Sequence, residues 1–391
     1  MYNEQTRVLV GARLFDGERF LDRHAVVLQG EQIAALTPQH EVPAELPTTD
    51  LQGGLLAPGF IDLQVNGGGG VLFNNAPTVD SLTLMTRGHR TAGTTRLLPT
   101  TISDTEDNLQ ACVAAVLAAR ADNPGILGLH IEGPFFSHLR RGVHREDYLR
   151  PLRDRDVDYL IDVAAALPIL LTLAPERTTP GQIRRLVEAG IRVSAGHSNA
   201  TQAQVAAAIS EGLSGFTHLF NAMRNLEGRE PGVVGAALVD QSTWAGIIVD
   251  GWHVHPQSVR LAWRSKPDGH LYLVSDAMAT VGAADPEFDL YGERIRRQEG
   301  RLINSEGKLA GSAIGLAEAV RNVIEQVGLP AAEALRMAAL YPATYFGVAD
   351  RLGRLAPGYQ ADLVHLTDDW QVTRSWVAGQ YELHQPVVQA H

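Results

Sequence analysis

Apolar segments of strand length alternate with helix-length segments along most of this chain, and this pattern leaves few folds open to it. Eight apolar segments occur, at residues 59–65, 94–98, 126–131, 169–174, 191–195, 215–219, 246–249 and 271–274. Continuously apolar strands separated by helices are typical of a parallel sheet that is covered on both faces. Eight such units predict an α/β fold with a (β/α)8 barrel of the TIM type.

Helix-start and helix-stop signals fall between several of these strands. Ser103-Asp104-Thr105-Glu106 has the pattern of a capping box and predicts a helix that begins at Ser103. Thr179-Pro180 predicts a second helix start, and Gly190 its end. Gly212 closes a helix over residues 199–211 in the same way.

Both ends of the chain have a different, strand-rich pattern. Short strand candidates lie at residues 7–11, 24–29 and 32–36, and strand character returns after Gly353. We therefore expect a small β-sandwich domain built from both ends, residues 1–57 and 353–391, with the barrel at residues 58–352. A β-hairpin insertion is expected at residues 288–309, followed by two helices.

Composition excludes several classes of function. The net charge of −11 argues against nucleic-acid binding, which needs a basic surface. The longest apolar stretch, residues 163–174, is too short to span a membrane. Cys112 is the single cysteine, so no internal disulfide can form, and the first residues lack the blocks of a signal peptide. We expect a cytoplasmic protein.

Polar residues follow or end the predicted barrel strands, at the face where barrel enzymes place their active sites. Glu132 ends the third strand in LHIEGPFF, His197 follows the fifth in SAGHS, and His218 follows the sixth in THLFNAM. A carboxylate at the tip of an apolar strand needs a positive partner when it is buried. One carboxylate and two imidazoles with an open fourth position are the composition of a catalytic zinc site. The sequence therefore predicts a divalent metal site. Zinc fits best, and Fe²⁺, Co²⁺ or Mn²⁺ are alternatives.

Three further residues could act beside that metal, although each has a simpler interpretation. Asp276, in VSDAM, could transfer a proton to and from a metal-activated water, or it could cap a loop. His144, in RRGVH, could donate a hydrogen bond to a developing oxyanion, or lie at the surface. Arg229, in EGREPG, could pair with a phosphate, or be a solvated loop residue.

With these motifs taken together, the chain resembles the N-acetylglucosamine-6-phosphate deacetylase family of the amidohydrolase superfamily. The resemblance covers nearly the whole chain, and the combination of HIEGPF with THLFNAM is highly specific to this family. It is carried by PGFIDLQVNGG, HIEGPF, RGVH, AGHS, THLFNAM, GREPGVVGAAL, DGWH, SDAM and LAGS, in that order.

The resemblance implies roles for individual residues. Glu132, His197 and His218 match the family's metal ligands, Asp276 its catalytic acid and base, and His144 the residue near the acetamide carbonyl. Arg229 and His253 match groups that face the sugar phosphate. The other positions that it places at the substrate are Gln64, Val143, Asn221, Ala222, Leu309, Ala310 and Gly311.

The resemblance also implies a reaction and an assembly. The reaction is hydrolysis of the acetamide of N-acetyl-D-glucosamine 6-phosphate to D-glucosamine 6-phosphate and acetate, in amino-sugar metabolism. The assembly is a homodimer in which the Arg229 loop reaches the neighbouring site. Many superfamily members end the first strand with His-x-His, whereas this chain has Gln64-Val65-Asn66. Because amides are weak ligands for such ions, we expect one metal per subunit.

Two alternatives remain open. The same chemistry could act on another N-acetyl hexosamine phosphate or on a cyclic amide. A barrel without catalytic activity, serving as a binding or structural subunit, is the alternative from a different class.

Overall fold

Both ends of the chain build a small β unit beside the barrel. The structure, a computed structural model, describes residues 5–384. The amino-terminal part contributes seven strands: β1 (Thr6–Val10), β2 (Arg13–Phe15), β3 (Phe20–Leu21), β4 (His24–Gln29), β5 (Gln32–Pro38), β6 (Thr48–Asp50) and β7 (Leu55–Pro58).

The central part of the chain forms the predicted barrel. Its strands are β8 (Phe60–Val65), β9 (Gly67–Gly68), β10 (Val71–Leu72), β11 (Thr94–Ile102), β12 (Leu129–Glu132), β13 (Ile169–Leu173), β14 (Arg192–Ala195), β15 (Gly215–Phe216), β16 (Trp244–Ile247) and β17 (Leu271–Leu273). β9 and β10 form a separate ribbon, and the other eight form one sheet in chain order. Every pairing between neighbours in that sheet is parallel.

The first and last strands of this sheet meet and close the barrel. Val65 forms a parallel bridge with Ala277, and the Asp276 amide donates to the Gln64 carbonyl at 3.0 Å. Closure brings the carboxyl ends of β8 and β17 side by side, although they are more than 200 residues apart in the chain.

Helices cover the outside of the barrel, and their apolar faces pack on the strands in one continuous core. They are α1 (Val79–Arg90), α2 (Glu106–Arg120), α3 (Asp154–Ala164), α4 (Gln182–Glu188), α5 (Gln202–Ser210), α6 (Gly232–Val239), α7 (Pro256–Ser265), α8 (Leu316–Asn322), α9 (Ala331–Ala338) and α10 (Leu340–Phe346). Across residues 5–384, none of the helices combines the length and apolarity that crossing a bilayer requires.

An insertion follows the last barrel strand, and three strands from the end of the chain complete the small β unit. The insertion contains β18 (Glu287–Leu290), β19 (Glu293–Gln298) and β20 (Arg301–Ile303), and the tail contains β21 (Leu363–Leu366), β22 (Val372–Val377) and β23 (Gln380–Leu383). β7 pairs with both β2 and β21, so strands from the two chain ends share a six-stranded sheet. A four-stranded sheet of β5, β4, β1 and β6 packs against it through an apolar cluster that includes Leu9, Leu56 and Trp376. The predicted barrel with a β-sandwich from both ends is confirmed, while the exact domain boundaries stay predictions.

The insertion differs from the expected hairpin. It is a three-stranded antiparallel sheet, because two tight turns reverse the chain instead of one. Both turns place two successive residues at positive φ, Tyr291-Gly292 and Glu299-Gly300. Two such residues are typical of the two-residue turns that match strand twist.

Two local predictions were wrong. The sixth barrel strand ends at Phe216 and not at Leu219, because His218 adopts a left-handed φ of 35° that a strand cannot contain. The capping box at Ser103 does not form. The N-cap of α2 is Thr105, whose side chain accepts from the Asn108 amide, since β11 continues to Ile102 and carries Ser103 into the barrel face.

Candidate active site

The three predicted metal ligands converge at the carboxyl end of the barrel. Glu132 is the last residue of β12, while His197 and His218 each lie two residues beyond their strands. The Glu132 Oε1 atom lies 3.1 Å from His218 Nε2 and 3.3 Å from His197 Nε2, and the two Nε2 atoms are 3.0 Å apart. All three side chains are buried. One carboxylate oxygen and two ring nitrogens thus face one another across a small triangle.

A carbonyl on a neighbouring loop determines which nitrogen of His197 faces this triangle. His197 Nδ1 lies 2.9 Å from the Arg140 carbonyl oxygen, which can only accept. The proton of the neutral ring is therefore on Nδ1, and Nε2 has a free lone pair. This arrangement, with the other ring nitrogen bonded to a carbonyl, is how proteins prepare histidine for a metal.

The charges of the cluster suit a bound cation. Burial alone would raise the pKa of the Glu132 carboxyl, but the neighbouring imidazoles of His197 and His218 hold it well below its ordinary value. Burial and the neighbouring His218 lower the pKa of His197. A buried carboxylate beside nitrogen lone pairs is the set that binds a divalent ion. Tetrahedral ligands at 2.0–2.1 Å from zinc are about 3.3 Å apart, close to the separations found here.

His144 lies beside the same cluster and could be taken for a ligand. Single ligand atoms of Glu132, His144 and His197 all lie within 4.8 Å of one another. However, the Ser103 backbone amide donates to His144 Nδ1 at 3.3 Å, and the Ser103 hydroxyl lies 2.8 Å from the same atom. Burial lowers the pKa of His144 well below its usual range, so the ring is neutral. With Nδ1 accepting, Nε2 carries the proton and is a donor, which suits an oxyanion better than a metal.

Two amides hold the predicted proton carrier, Asp276. Its Oδ1 atom accepts from Gln64 Nε2 at 3.1 Å and from Asn66 Nδ2 at 2.7 Å. Gln64 Nε2 also donates to Glu132 Oε1 at 3.0 Å, so this one amide joins both carboxylates. Burial, and then the negative charge of Glu132, raise the pKa of Asp276 to about 7. A carboxyl with this pKa can both take and return a proton near neutral pH.

Backbone strain is concentrated at this face of the barrel. His197, His218 and Asp276 adopt left-handed φ values of 47°, 35° and 51°, and Ala222 has 51°. Such values are uncommon outside glycine and are retained where the surrounding structure holds the chain for function. These turns direct the side chains of His197, His218 and Asp276 into the cavity immediately after short strands.

These residues surround a cavity of about 230 Å³. Of the residues expected at the site, the cavity is lined by Glu132, Val143, His144, His197, His218, Asn221, Ala222, His253, Asp276, Leu309 and Gly311. A cleft of about 560 Å³ between α5 and α6 is larger, but the residues that line it include no histidine and one carboxylate, Asp240.

Three expected residues do not line the cavity. Gln64 lies within β8, beneath the two carboxylates that it joins. Ala310 is buried in the apolar cluster under the insertion. Arg229 is exposed on its loop, away from the cavity of its own chain.

Asn66 and Ser103 have contacts at the site that sequence reasoning missed. Asn66 lies two residues after Gln64, and alternation along a strand places such residues on one face. This spacing alone would have predicted that Asn66 lies beside Gln64 at the site. Ser103 gave no usable signal, because its contact with His144 joins residues 41 positions apart.

Comparisons with known proteins agree with this geometry. The model of the amidohydrolase family matches residues 55–381, and that of the NagA composite domain matches residues 8–56. The chain is 43% identical to an N-acetylgalactosamine-6-phosphate deacetylase of Shewanella sp. (strain ANA-3), covering 95% of this chain and 94% of that protein. It is 40% identical to an N-acetylglucosamine-6-phosphate deacetylase of Haemophilus influenzae, covering 92% and 94%.

A solved structure extends this agreement to three dimensions. The crystal structure of N-acetylglucosamine-6-phosphate deacetylase from Pasteurella multocida superposes with a TM-score of 0.94 at 39% identity, covering 97% of this chain and 100% of that one. By sequence and by structure, the chain belongs to the amidohydrolase family.

Proposed function

We propose that the protein is a hydrolase that removes the acetyl group from N-acetyl-D-glucosamine 6-phosphate, releasing D-glucosamine 6-phosphate and acetate. The observation that carries this proposal is the position of Asp276. Its carboxyl, with a pKa of about 7, shares one cavity with the three candidate ligands and with the neutral donor His144. Amide hydrolysis needs these parts: activation of water, polarisation of a carbonyl, and a proton for the departing amine.

Glu132, His197 and His218 would hold one divalent metal, with zinc the best fit to the donor set. Such an ion lowers the pKa of a water molecule and polarises a carbonyl oxygen. Gln64 and Asn66 hold Asp276 in place through their amide groups. Because both amides already donate to carboxylates, we propose a single metal per subunit.

The remaining steps use the chain's own residues. The Asp276 carboxylate accepts a proton from the attacking water, and His144 Nε2–H donates to the acetyl oxygen as negative charge develops there. Asp276 then delivers its proton to the amine nitrogen as the carbon–nitrogen bond breaks. Water thus supplies the hydroxyl of acetate and the proton of the amine, and Asp276 returns to its starting state.

The sugar isomer has one specific alternative, N-acetylgalactosamine 6-phosphate. The relative with 43% identity acts, by its name, on that isomer, whereas the relative with 40% identity acts on the glucosamine form. An acetate-release assay with both phosphorylated isomers, the mannosamine isomer and unphosphorylated N-acetylglucosamine tests the proposal. We expect turnover of a phosphorylated sugar that a chelator abolishes and added zinc restores. Absence of acetate release from every phosphorylated sugar would refute it.

We also propose a cytoplasmic homodimer in which the exposed Arg229 binds the phosphate at the neighbouring site. Mixing two variants that are each impaired, and assaying them at low substrate concentration, tests this directly. A heterodimer of Arg229→Ala and Asp276→Asn subunits has one site with both native residues only if Arg229 acts on its neighbour. Co-expression should therefore restore activity, and the exposed Arg184→Ala serves as the control variant. Light scattering that shows a monomer, or no restoration, would contradict the shared site.

A further inference from the structure

A second carboxylate contacts a histidine of the cavity. Asp250 Oδ2 lies 2.6 Å from His253 Nδ1, and their side chains are only 4% and 10% exposed. A nitrogen this close to a carboxylate oxygen donates its proton in a charge-assisted hydrogen bond. The ring of His253 therefore presents its other nitrogen, Nε2, for further contacts.

Asp250 is itself held rigidly. Its Oδ1 atom accepts from the backbone amides of Trp252 at 2.9 Å and His253 at 2.8 Å. The preceding carbonyl, of Val249, accepts from Asn322 Nδ2 at 2.9 Å. Burial would raise the pKa of the Asp250 carboxyl, but the bonds from His253 and the two amides hold it below its ordinary value. The carboxylate is thus a fixed negative charge behind the ring.

The free side of the ring belongs to the cavity. His253 lines the cavity together with Asn221 and Asp276. Within residues 5–384, His253 Nε2 forms no hydrogen bond of its own. A ring nitrogen that is oriented from behind and has no partner in front is available to a ligand.

We propose that Asp250 is a positioning residue through which His253 recognises the phosphate of the substrate. This inference rests on the proposed function, because it assumes a sugar phosphate in the cavity. An imidazolium ring has an N–H group for each of two anions, and a phosphate oxygen at Nε2 would place one anion on each side of the ring. Both N–H groups then donate to charged oxygens, the strong class of hydrogen bond in proteins. Without Asp250, the ring would have neither its orientation nor its balancing charge.

The substitution Asp250→Asn isolates this effect. The asparagine retains an oxygen for the two backbone amides, but it replaces the negative charge with an amide that donates to Nδ1. We expect the KM for the phosphorylated substrate to rise about tenfold, because the ring then faces the phosphate without the balancing negative charge behind it. The change in kcat should be much smaller, and an unphosphorylated sugar should show little change in KM.

A matched control exists in the same molecule. Asp240 Oδ1 accepts from the amides of Ser242 and Thr243, both at 2.9 Å, in the same kind of turn, and no histidine among residues 5–384 bonds to it. Asp240→Asn should leave both KM and kcat near the native values. Melting temperature and metal content, measured for both variants, separate a local effect from misfolding.

A double-mutant cycle shows whether Asp250 acts through His253. In a His253→Gln background, Asp250→Asn should have no further effect on KM. Additive effects of the two substitutions would overturn the proposal, as would an equal rise in KM for the unphosphorylated sugar, which would assign His253 to a hydroxyl.

Binding of glucosamine 6-phosphate, measured by calorimetry, needs no turnover. It should weaken about tenfold in Asp250→Asn, again because the balancing negative charge behind the ring is removed. If the native protein binds this compound but releases no acetate from any substrate, the proposed reaction fails while the role of Asp250 is still measured. Equal binding by native protein and Asp250→Asn would overturn that role.

Discussion

His197 Nε2 and His218 Nε2 lie 3.0 Å apart, although neither nitrogen can satisfy the other when both present lone pairs. The Arg140 carbonyl fixes the proton of His197 on its far nitrogen, which leaves a lone pair at the contact. Two buried nitrogens held this close, with a carboxylate oxygen 3.1 and 3.3 Å away, are stabilised when a cation lies between them.

Glu132→Gln should lower metal affinity first and activity as a consequence. The amide keeps the shape of the side chain but removes the negative charge that faces both imidazoles. Metal analysis of native protein should give one ion per chain, and the variant should lose it in mild chelator. A variant that holds metal as tightly as native protein would contradict the assignment of Glu132, and two tightly held ions in native protein would contradict the single site.

Asp276→Asn should retain the fold and the metal but lose kcat by about 10²–10⁴-fold, the usual contribution of general acid–base catalysis. Asparagine can still accept from Gln64 and Asn66 through its oxygen, so the local hydrogen bonds need not collapse. Steady-state acetate release measures the effect, and the exposed Asp268→Asn is the control. Near-native turnover in Asp276→Asn would assign proton transfer to another group.

Activity should fall on the acid side of neutrality, because Asp276 must be unprotonated to accept a proton. Its pKa is raised to about 7 by burial and by the charge of Glu132. A bound cation favours the carboxylate and moves the midpoint below that value. Below the midpoint, log kcat/KM should decrease by about one per pH unit. The residual activity of Asp276→Asn should lack this dependence, and a persistent acid limb in that variant would trace it to another residue.

Ser103→Ala should reduce kcat more than it raises KM. The hydroxyl lies 2.8 Å from His144 Nδ1 and helps to hold the ring with Nε2–H toward the cavity. Loss of one orienting hydrogen bond corresponds to about 1 kcal/mol, or roughly fivefold in rate. The exposed Ser210→Ala is a suitable control, since its hydroxyl donates to the Ala207 carbonyl of its own helix. An unchanged kcat would show that the backbone amide of Ser103 alone orients the ring.

Asp362→Ala should strongly destabilise the protein without changing the site. Asp362 on the small β unit forms a bidentate ion pair with Arg96 of barrel strand β11. Arg96 Nε donates to Asp362 Oδ2, and Arg96 Nη2 donates to Asp362 Oδ1 at 2.9 Å. Both side chains are buried, so removal of one partner leaves an unpaired charge that costs about 3–5 kcal/mol. Urea unfolding followed by circular dichroism measures the loss. The double variant Arg96→Met, Asp362→Leu should be less destabilised than Asp362→Ala, and the reverse order would argue against this explanation.

The architecture was predictable because its signals are local. A barrel strand such as β13 is apolar along its whole length, and glycine and capping residues mark where helices stop and start. Burial on both faces imposes this pattern within each segment, so no long-range contact is needed to recognise it. The placement of Glu132, His197, His218 and Asp276 at strand ends follows from the same pattern.

The chain by itself thus determined the order of strands and helices and the chemistry available at each strand end. The tertiary structure decided what those side chains do. Only closure of the barrel brings Gln64 and Asn66 into contact with Asp276, which is more than 200 residues away in the chain. Only the packing of the 137–144 loop places the Arg140 carbonyl against His197 Nδ1. The same packing places His144 Nδ1 against the Ser103 hydroxyl. Such contacts depend on distances and directions between distant segments, which local sequence patterns do not encode.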